Sequence, residues 1–282
     1  MSGTLFVVAT PIGNLEDVTA RALRILSQVT LIAAEDTRRT HHLLSRYAIT
    51  TPTISLHEHN EGQRVPALVE RLRQGEKIAL VSDAGTPTIS DPGQRLIKVA
   101  IEAGIRVEPV PGPSAVVSAF AASGIAGQSF TFLGFPPVRS KDRKTWLAEL
   151  ADAGRPVVFF EAPHRIKKTF AEIIALVGDI NVSVARELTK IHEEFIRGSM
   201  TEVLARLGEP IGEFTVVIDI GHTTDVTAST ELPSPVEMAM AFGQMVDSCG
   251  GSRRLALSRL ARTHGISTNQ VYALVEAGKK LA

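Results

Sequence analysis

Between residues 5 and 110, short apolar runs rich in β-branched residues alternate with stretches in which apolar residues recur at helical spacing. The short runs predict strands, and the longer spacing predicts helices. Strands are predicted at residues 5–9, 30–34, 53–56, 77–82 and 107–110, and a clear helix at 17–27. This alternation is typical of parallel βαβ units, so the pattern predicts an α/β fold.

A different order of elements is predicted after the glycine-rich stretch GIAGQ at residues 124–128, which we take as a domain boundary. The two domains would span residues 1–125 and 126–222. Strands are predicted at 130–135, 156–161, 181–186, 194–197 and 213–220, and helices at 141–151, 165–177 and 200–207. The closely spaced strands VARE and EEFIRG predict an antiparallel pair, so the second sheet should be mixed.

The polar stretch HTTDVTASTELPSP, residues 222–235, predicts a linker, and residues 235–282 predict a small helical extension. Within it, residues 257–275 suggest two helices around a turn at Gly265, in the manner of a helix-turn-helix. The expected packing residues are Ala261, Ile266, Val271 and Tyr272. Basic residues dominate the end of the chain, which predicts contact with an RNA backbone or, alternatively, a helical cap or dimer element.

Composition limits the kinds of partner and the cellular compartment that the sequence allows. The 282 residues include 30 basic and 30 acidic side chains, so only a local basic patch could serve a nucleic acid. The single cysteine, Cys249, excludes an internal disulfide and fits a reducing cytoplasm. Cys249 itself is expected to be a small buried residue. The first residues lack the features of a secretory signal, and no apolar run is long enough for a membrane span, so we expect a cytoplasmic protein.

Four loops rich in glycine, proline and aspartate follow predicted strands of the first domain: ATPIGN, AEDTRR, VSDAGTPTISDPG and PVPGPSA. In open α/β sheets, ligands bind beyond the carboxyl ends of the strands. Glycine permits close approach of the backbone, and aspartate accepts hydrogen bonds from turn amides. The third loop, residues 82–93, is therefore either a ligand-binding loop or simply a well-formed turn.

Common motifs for other chemistries are absent from the sequence. It contains no G-x-x-x-x-G-K-[ST], no G-x-G-x-x-G after a strand, no H-E-x-x-H and no G-x-S-x-G. His57, Glu58 and His59 could suggest a metal site, but alternate residues at a strand end more often form a solvated rim. We therefore expect no metal.

Eight ordered blocks between residues 4 and 221 resemble the tetrapyrrole methylase superfamily. They read VATPIGNLEDVT, AAEDTRRT, LVSDAGTPTISDPG, PVPGPSA, FLGFPP, FFEAPHRI, ARELTKIHEEFIRG and GEFTVVI. Within this superfamily the blocks are most similar to the ribosomal RNA methyltransferases that modify the ribose 2′-hydroxyl of a cytidine in the decoding centre of the small ribosomal subunit.

The resemblance implies a two-domain α/β enzyme that binds S-adenosylmethionine in the cleft between its domains, usually as a homodimer. Carried onto this chain, the residues implied to bind the cofactor are Pro11, Asp83, Ala84, Gly85, Ile89, Ser114, Ala115, Glu213, Phe214 and Thr215. Methyl transfer from a sulfonium is an in-line displacement that needs neither a metal nor a covalent nucleophile.

A ribose hydroxyl is a weak nucleophile, so a base or a cation near it would assist the reaction. Charged residues at predicted strand ends are candidates, and the four that we expect to face the acceptor are Glu161, Arg165, Arg186 and Lys190. Asp36, His164 and Glu187 are further candidates. Alternatively, Glu161 and Arg186 could pair with each other across neighbouring strands and have a purely structural role.

The residues predicted to contact RNA are basic and lie in two places, Arg38 and Arg39 after the second strand, and Arg253, Arg254, Arg259 and Arg262 in the extension. Arg38 and Arg39 could instead form solvated ion pairs. Two rival functions remain open. The methyl acceptor could be a small molecule such as a tetrapyrrole, or the protein could be a ligand-sensing regulator that binds DNA through its extension.

Overall fold

The computed structural model describes residues 3–209, 211–220, 232–248, 253–264 and 266–281. In these ranges the chain forms two five-stranded sheets and a separate group of helices. None of the helices in the described ranges has the length and apolar character needed to cross a membrane.

The first sheet is entirely parallel, with the strand order β3-β2-β4-β1-β5. Its strands are β1 (Thr4–Val8), β2 (Leu31–Ala34), β3 (Thr53–Ser55), β4 (Lys77–Val81) and β5 (Arg106–Val110). The helices of this half are α1 (Ala20–Gln28), α2 (Thr37–Arg46), α3 (Glu61–Arg73), α4 (Gln94–Glu102) and α5 (Ala115–Ser123). Separate hydrophobic clusters cover its two faces. The predicted α/β fold is confirmed.

The second sheet is mixed, with the strand order β6-β7-β10-β8-β9. Its strands are β6 (Thr131–Phe132), β7 (Val157–Glu161), β8 (Asn181–Arg186), β9 (Glu194–Ser199) and β10 (Phe214–Ile218). Its helices are α6 (Ser140–Asp152), α7 (Ile166–Val177) and α8 (Met200–Arg206). The predicted antiparallel pair is β8 with β9, and β6 with β7 is the one parallel pair of neighbouring strands in this sheet.

The strand predicted at residues 130–135 is shorter than expected. After β6 the chain turns at Gly134, whose φ of 59° lies in the left-handed region. Pro136 and Pro137 follow and have no backbone N–H to donate to a ladder. The predicted strand therefore ends in a loop of residues 134–137, which we call the FPP loop.

Helix α5 follows the first sheet in the chain but packs against the second. Val116 and Ala119 are buried in one hydrophobic cluster with Val158, Ala185 and Val217 of the second sheet. An apolar helix stripe is buried wherever a complementary sheet face is available. A boundary at about residue 125 remains a prediction, but the core of the second half includes α5.

The C-terminal helices are α9 (Pro235–Ser248), α10 (Arg253–His264) and α11 (Thr268–Leu281), and they share a core of their own. Ala261 and Val271 are buried and Ile266 packs against that core, as predicted. The prediction for Tyr272 was wrong, because its side chain is 53% exposed. Val271 and Val275 define the inward stripe of α11, and one residue further the helix has turned away from the core. Most of the predicted linker, the Gly265 turn and Cys249 lie outside the described residues.

Candidate active site

A cavity of about 440 Å³ lies between the carboxyl ends of the first-sheet strands and the adjacent ends of β7 and β10 in the second sheet. Nine of the ten residues that were implied to bind the cofactor line it, namely Asp83, Ala84, Gly85, Ile89, Ser114, Ala115, Glu213, Phe214 and Thr215. The tenth, Pro11, lines an adjoining cavity of about 280 Å³ that shares Asp83, Ala84 and Glu213 with the first. The structure thus brings these residues together in one cleft.

The turn after β4 is joined to the loop after β1 by backbone hydrogen bonds. Thr10 and Gly85 exchange two of them, at 2.9 and 3.0 Å. Gly85 has φ = 76°, and a Cβ atom there would lie 3.4 Å from Ile12 Cγ2. A residue without a side chain is therefore favoured at this position by its backbone conformation. The loop composition noted in the sequence builds a turn that lines the cavity.

The same turn is also held against the start of α2. The Asp36 amide donates to Asp83 Oδ1 at 2.9 Å, and the Asp83 amide donates to Glu35 Oε2 at 3.4 Å. Arg39 Nε lies 3.6 Å from Asp83 Oδ2. These reciprocal contacts fix the turn after β4 relative to the loop after β2.

Carboxylates give the cleft an acidic character. Burial, and secondarily the charge of Asp83, raises the pKa of Glu35. Burial raises the pKa of Asp91 to about 6, and the charges of Glu35 and Asp83 add to this effect. All three residues line the cavity. Neighbouring carboxylates repel one another, so a cationic ligand would stabilise their charged forms.

The second half of the loop of residues 82–93 is held by a separate set of contacts. Thr88 and Ser90 adopt left-handed backbone angles, with φ of 73° and 67°. The Gly93 amide donates to Glu61 Oε1 of α3 at 2.8 Å, and a Cβ atom on Gly93 would come within 2.7 Å of Leu80. Strained non-glycine residues persist where their surroundings fix them, and they cluster at ligand sites.

On the second-sheet side, a turn after β8 presents Lys190 to the adjoining cavity. Its Nζ lies 3.0 Å from Glu187 Oε1 and 3.1 Å from Glu213 Oε2. Burial alone would lower the pKa of Lys190, but the hydrogen bonds to these two carboxylates outweigh burial and raise it. The ammonium is therefore charged at neutral pH.

The loop after β1 packs closely on this turn. The Asn14 amide donates to Thr189 Oγ1 at 2.9 Å. A Cβ atom on Gly13 would lie 2.6 Å from Lys190 Cγ and 2.7 Å from Thr189 Oγ1. Glycine at position 13 thus permits the two halves to approach each other beside the cleft.

Glu161 lines the cleft through its position at the end of β7, yet its carboxylate is directed into the protein. The side chain is fully buried and accepts hydrogen bonds from the Ala162 amide at 2.8 Å and from Thr169 Oγ1. Arg165 Nε lies 3.3 Å from its Oε1 atom, and Arg165 also donates to the Pro136 carbonyl. Glu161 and Arg165 therefore form one buried network behind the wall of the cleft.

Arg186 has a different partner from the one that sequence suggested. Its Nη1 atom lies 3.6 Å from Glu194 Oε2 on β9. The structural alternative that pairs it with Glu161 is wrong, because β10 lies between β7 and β8 and Phe214 is the register partner of both residues. The four predicted acceptor residues thus occupy three separate places rather than one patch.

The predicted RNA contacts also differ among themselves. Arg38 is 89% exposed and pairs with Asp36 at 2.7 Å, as expected of a solvated ion pair. Arg39 lines both cavities. Arg253 lies 5.8 Å from the centre of the Phe242 ring. The side chains of Arg254, Arg259 and Arg262 are outside the described residues.

Several residues of the cleft were not predicted, among them Ile12, Glu35, Asp91, Phe135, Phe160 and Leu188. Glu35 and Asp91 belong to two of the quoted loops, so their acidic character could have pointed to them. Phe160 lies on β7 and Phe135 in the FPP loop after β6, so the strand order and the turn at Gly134 were needed to find them. Within the described ranges, no three His, Cys, Asp or Glu side chains are grouped in a way that could hold a metal ion.

The chain thus combines a parallel five-stranded sheet, a mixed five-stranded sheet and a cleft between them, and comparison with known proteins identifies the family with this architecture. The family model for tetrapyrrole (corrin/porphyrin) methylases matches residues 4–204. The chain therefore belongs to the tetrapyrrole methylase family. As in that family, the methyl donor is S-adenosylmethionine. An acidic, largely preformed cleft suits this cationic cofactor.

Two curated relatives are both called ribosomal RNA small subunit methyltransferase I. The protein from Thermotoga maritima is 48% identical over 77% of this chain and 98% of its own length. The protein from Halalkalibacterium halodurans is 42% identical over 96% of this chain and 93% of its own length. A crystal structure of diphthine synthase covers 77% of this chain and 90% of its own, with a TM-score of 0.62 and 14% identity, which supports the fold alone.

Proposed function

We propose that the protein transfers a methyl group from S-adenosylmethionine to the ribose 2′-hydroxyl of a cytidine in the decoding centre of small-subunit (16S) ribosomal RNA. One observation carries the ribosomal RNA assignment: 42% identity to a protein of that name extends over 96% of the chain, so it includes both the cleft and the C-terminal helices. The cytidine and the 2′-oxygen rest on the eight sequence blocks.

When bound, S-adenosylmethionine supplies an activated methyl group together with its leaving group. The chain then has to align the donor and the acceptor. We assign donor binding to the turn after β4, where Gly85 permits close backbone approach and Asp83 ties the turn to α2. The carboxylates of Glu35 and Asp91 favour a cationic ligand in the same cleft.

On the acceptor side, we assign the direct electrostatic role to Lys190. A charged ammonium beside the acceptor would favour loss of the hydroxyl proton and stabilise developing negative charge. We assign Glu161 and Arg165 an indirect role, in which their ion pair keeps the wall of the cleft in position. Arg186 has a similar role, because its ion pair with Glu194 joins the end of β8 to β9. Arg39, at the border of both cavities, is suited to contact a phosphate group.

We also propose that the protein works in the cytoplasm as a homodimer and that its C-terminal helices assist RNA binding. These helices have a hydrophobic core of their own, so they could contact RNA without taking part in the core of either sheet. Light scattering on the full chain measures the oligomeric state. A monomer at micromolar concentration would contradict the dimer.

The decisive experiment is the transfer of labelled methyl from S-adenosylmethionine to small ribosomal subunits and to free 16S RNA, followed by mapping of the labelled nucleotide and position. We expect label on one cytidine 2′-oxygen. Label on a base, or on another nucleotide, would retain RNA methylation but reject the proposed site. Label only on an added tetrapyrrole would support the small-molecule alternative. DNA binding without any methyl transfer would support a regulator.

A further inference from the structure

An aromatic ring stands at the outer end of the cleft and was not predicted from the sequence. Phe135 lines the cavity while 52% of its surface is exposed. At the inner end, Phe214 and Thr215 are only 2% and 5% exposed. Among the described residues, Phe135 and Ile89 are the two large hydrophobic side chains that are both exposed and part of this cavity. Phe135 therefore marks a part of the cavity that is open to solvent and accessible to a macromolecular acceptor.

The ring of Phe135 is supported from behind by other aromatic rings. Its centroid lies 5.3 Å from that of Phe160, which lies in turn 5.1 Å from that of Phe132. The Phe160 amide donates to the Gly134 carbonyl at 2.9 Å. Aromatic pairs at such distances stabilise a defined ring orientation. Phe135 is therefore both exposed and oriented.

The backbone of the FPP loop is held from the protein interior. Arg165 donates to the Pro136 carbonyl, and Arg143 Nη1 donates to the Pro137 carbonyl at 3.3 Å. Both arginines are connected to Glu161, Arg165 directly and Arg143 through the Thr169 hydroxyl. Three buried or half-buried charged side chains thus fix a loop whose one exposed ring faces the cleft. Such rigid support is what a positioned binding group requires.

We propose that Phe135 stacks on the base of the acceptor nucleotide and thereby positions its ribose against the donor. The proposal rests on the function proposed above. Sequence-specific RNA recognition uses unstacked bases that are splayed out and stacked on aromatic side chains. A base on Phe135 would leave its ribose directed toward the inner end, where the donor is assigned. Arg39, 66% exposed on the opposite wall, is available for the neighbouring phosphate.

The test uses the full chain with Phe135→Leu and Phe135→Trp, small ribosomal subunits as acceptor, and calorimetry of S-adenosylmethionine binding. Base stacking on an aromatic residue is lost in Phe135→Leu, so kcat/KM for the subunit should fall about 5- to 150-fold. Phe135→Trp should retain most of the activity, because indole also stacks. Donor affinity should remain unchanged in both variants.

A second arm removes the base instead of the ring. Reconstituted subunits carry an abasic residue, with its 2′-hydroxyl intact, at the nucleotide that the wild-type protein methylates. If ring and base interact, the abasic substrate should lower the wild-type rate about as much as Phe135→Leu lowers it on normal RNA. The combined change should then cost little more than either single change. Fully additive losses would overturn the inference.

Ile101→Ala is the matched control, since Ile101 is 60% exposed on α4 and lies outside the cleft. It should leave both activity and donor affinity unchanged. A loss of donor affinity in Phe135→Leu would assign the ring to the donor site and reject stacking on the acceptor. Equal activity of Phe135→Leu, Phe135→Trp and the wild-type protein would also reject stacking. Wild-type protein that methylates no cytidine would instead reject the proposed function, so the two failures are distinguishable.

Discussion

The two walls of the cleft are built by different means. The first-sheet wall is largely backbone, with Gly85 bonded to Thr10 and the Asp36 and Asp83 amides paired with neighbouring carboxylates. The second wall depends on side chains, with Glu161 at the centre of a buried network and Lys190 between two glutamates. The first wall is therefore sensitive to backbone conformation, and the second to the loss of single charged groups.

The largest expected effect concerns Glu161. Removing one partner of a buried ion pair costs about 3–5 kcal/mol, because the other charge is left without compensation. Glu161→Ala should lower the free energy of unfolding by about this amount, measured by urea denaturation. Glu194→Ala is the matched control, because Glu194 is 50% exposed and should contribute less than about 1 kcal/mol. Equal losses in the two variants would mean that the second wall does not depend on Glu161 as the centre of a buried network.

Lys190 tests whether the second wall has a catalytic role. Lys190→Ala should lower kcat by about 100-fold, as expected when one electrostatic interaction with a transition state is removed. Donor affinity should change little, and Lys190→Arg should recover part of the rate because it keeps the charge. Steady-state kinetics with calorimetry separates the two quantities. A loss confined to donor affinity would reassign Lys190 to the cofactor.

Gly85 tests the backbone character of the first wall. Gly85→Val places a β-branched residue at φ = 76° and beside Ile12, so donor affinity should fall about tenfold or more by calorimetry. Gly104→Val is the control. Gly104 has φ = 68°, but a Cβ atom there would meet no other atom within 4 Å, so this variant should lose stability without losing donor affinity. Unchanged donor affinity in Gly85→Val would reject the assignment of the turn after β4 to donor binding.

A smaller effect is expected from pH. Asp91 has a folded-state pKa of about 6, above the ordinary value of 3.8, so the stability it contributes is present below about pH 4 and is lost as pH rises through 6. Its carboxylate favours the cationic donor, so donor affinity should rise over the same interval, by less than about tenfold. Asp91→Asn should flatten both curves. If stability and donor affinity of the wild-type protein changed in the same direction over this pH interval, the role given to Asp91 would be contradicted.

The smallest effect concerns the C-terminal helices, which lie apart from both walls. Neutralising Arg253, Arg254, Arg259 and Arg262 to glutamine should weaken RNA binding mainly at low salt. Each arginine–phosphate interaction that is removed should reduce the slope of log K against log salt by about 0.7 to 0.9. Donor affinity should be unaffected. An unchanged slope, together with a monomeric protein after truncation at Ser234, would assign these helices to assembly.

The difference between the walls also explains how much the sequence could predict. Loops at the carboxyl ends of parallel strands converge by topology, and six of the residues that the family resemblance implied for the cofactor, all on such loops, line one cavity. Glu161 and Arg186 could not be interpreted in the same way, because the insertion of β10 between β7 and β8 is a long-range pairing. Phe135 was missed for a related reason, since its exposure depends on the turn at Gly134 that shortens β6.

The packing of α5 has a consequence for how the molecule unfolds. This helix is covalently part of the first half, but Val116 and Ala119 are buried among residues of the second sheet. Neither sheet can lose its structure without exposing apolar surface that involves the other half, so the two should melt in one cooperative calorimetric transition. Helices α9–α11, with their own core, are free to open at a lower free energy. Amide hydrogen exchange would therefore reveal two cooperative units, and their border would not coincide with the cleft.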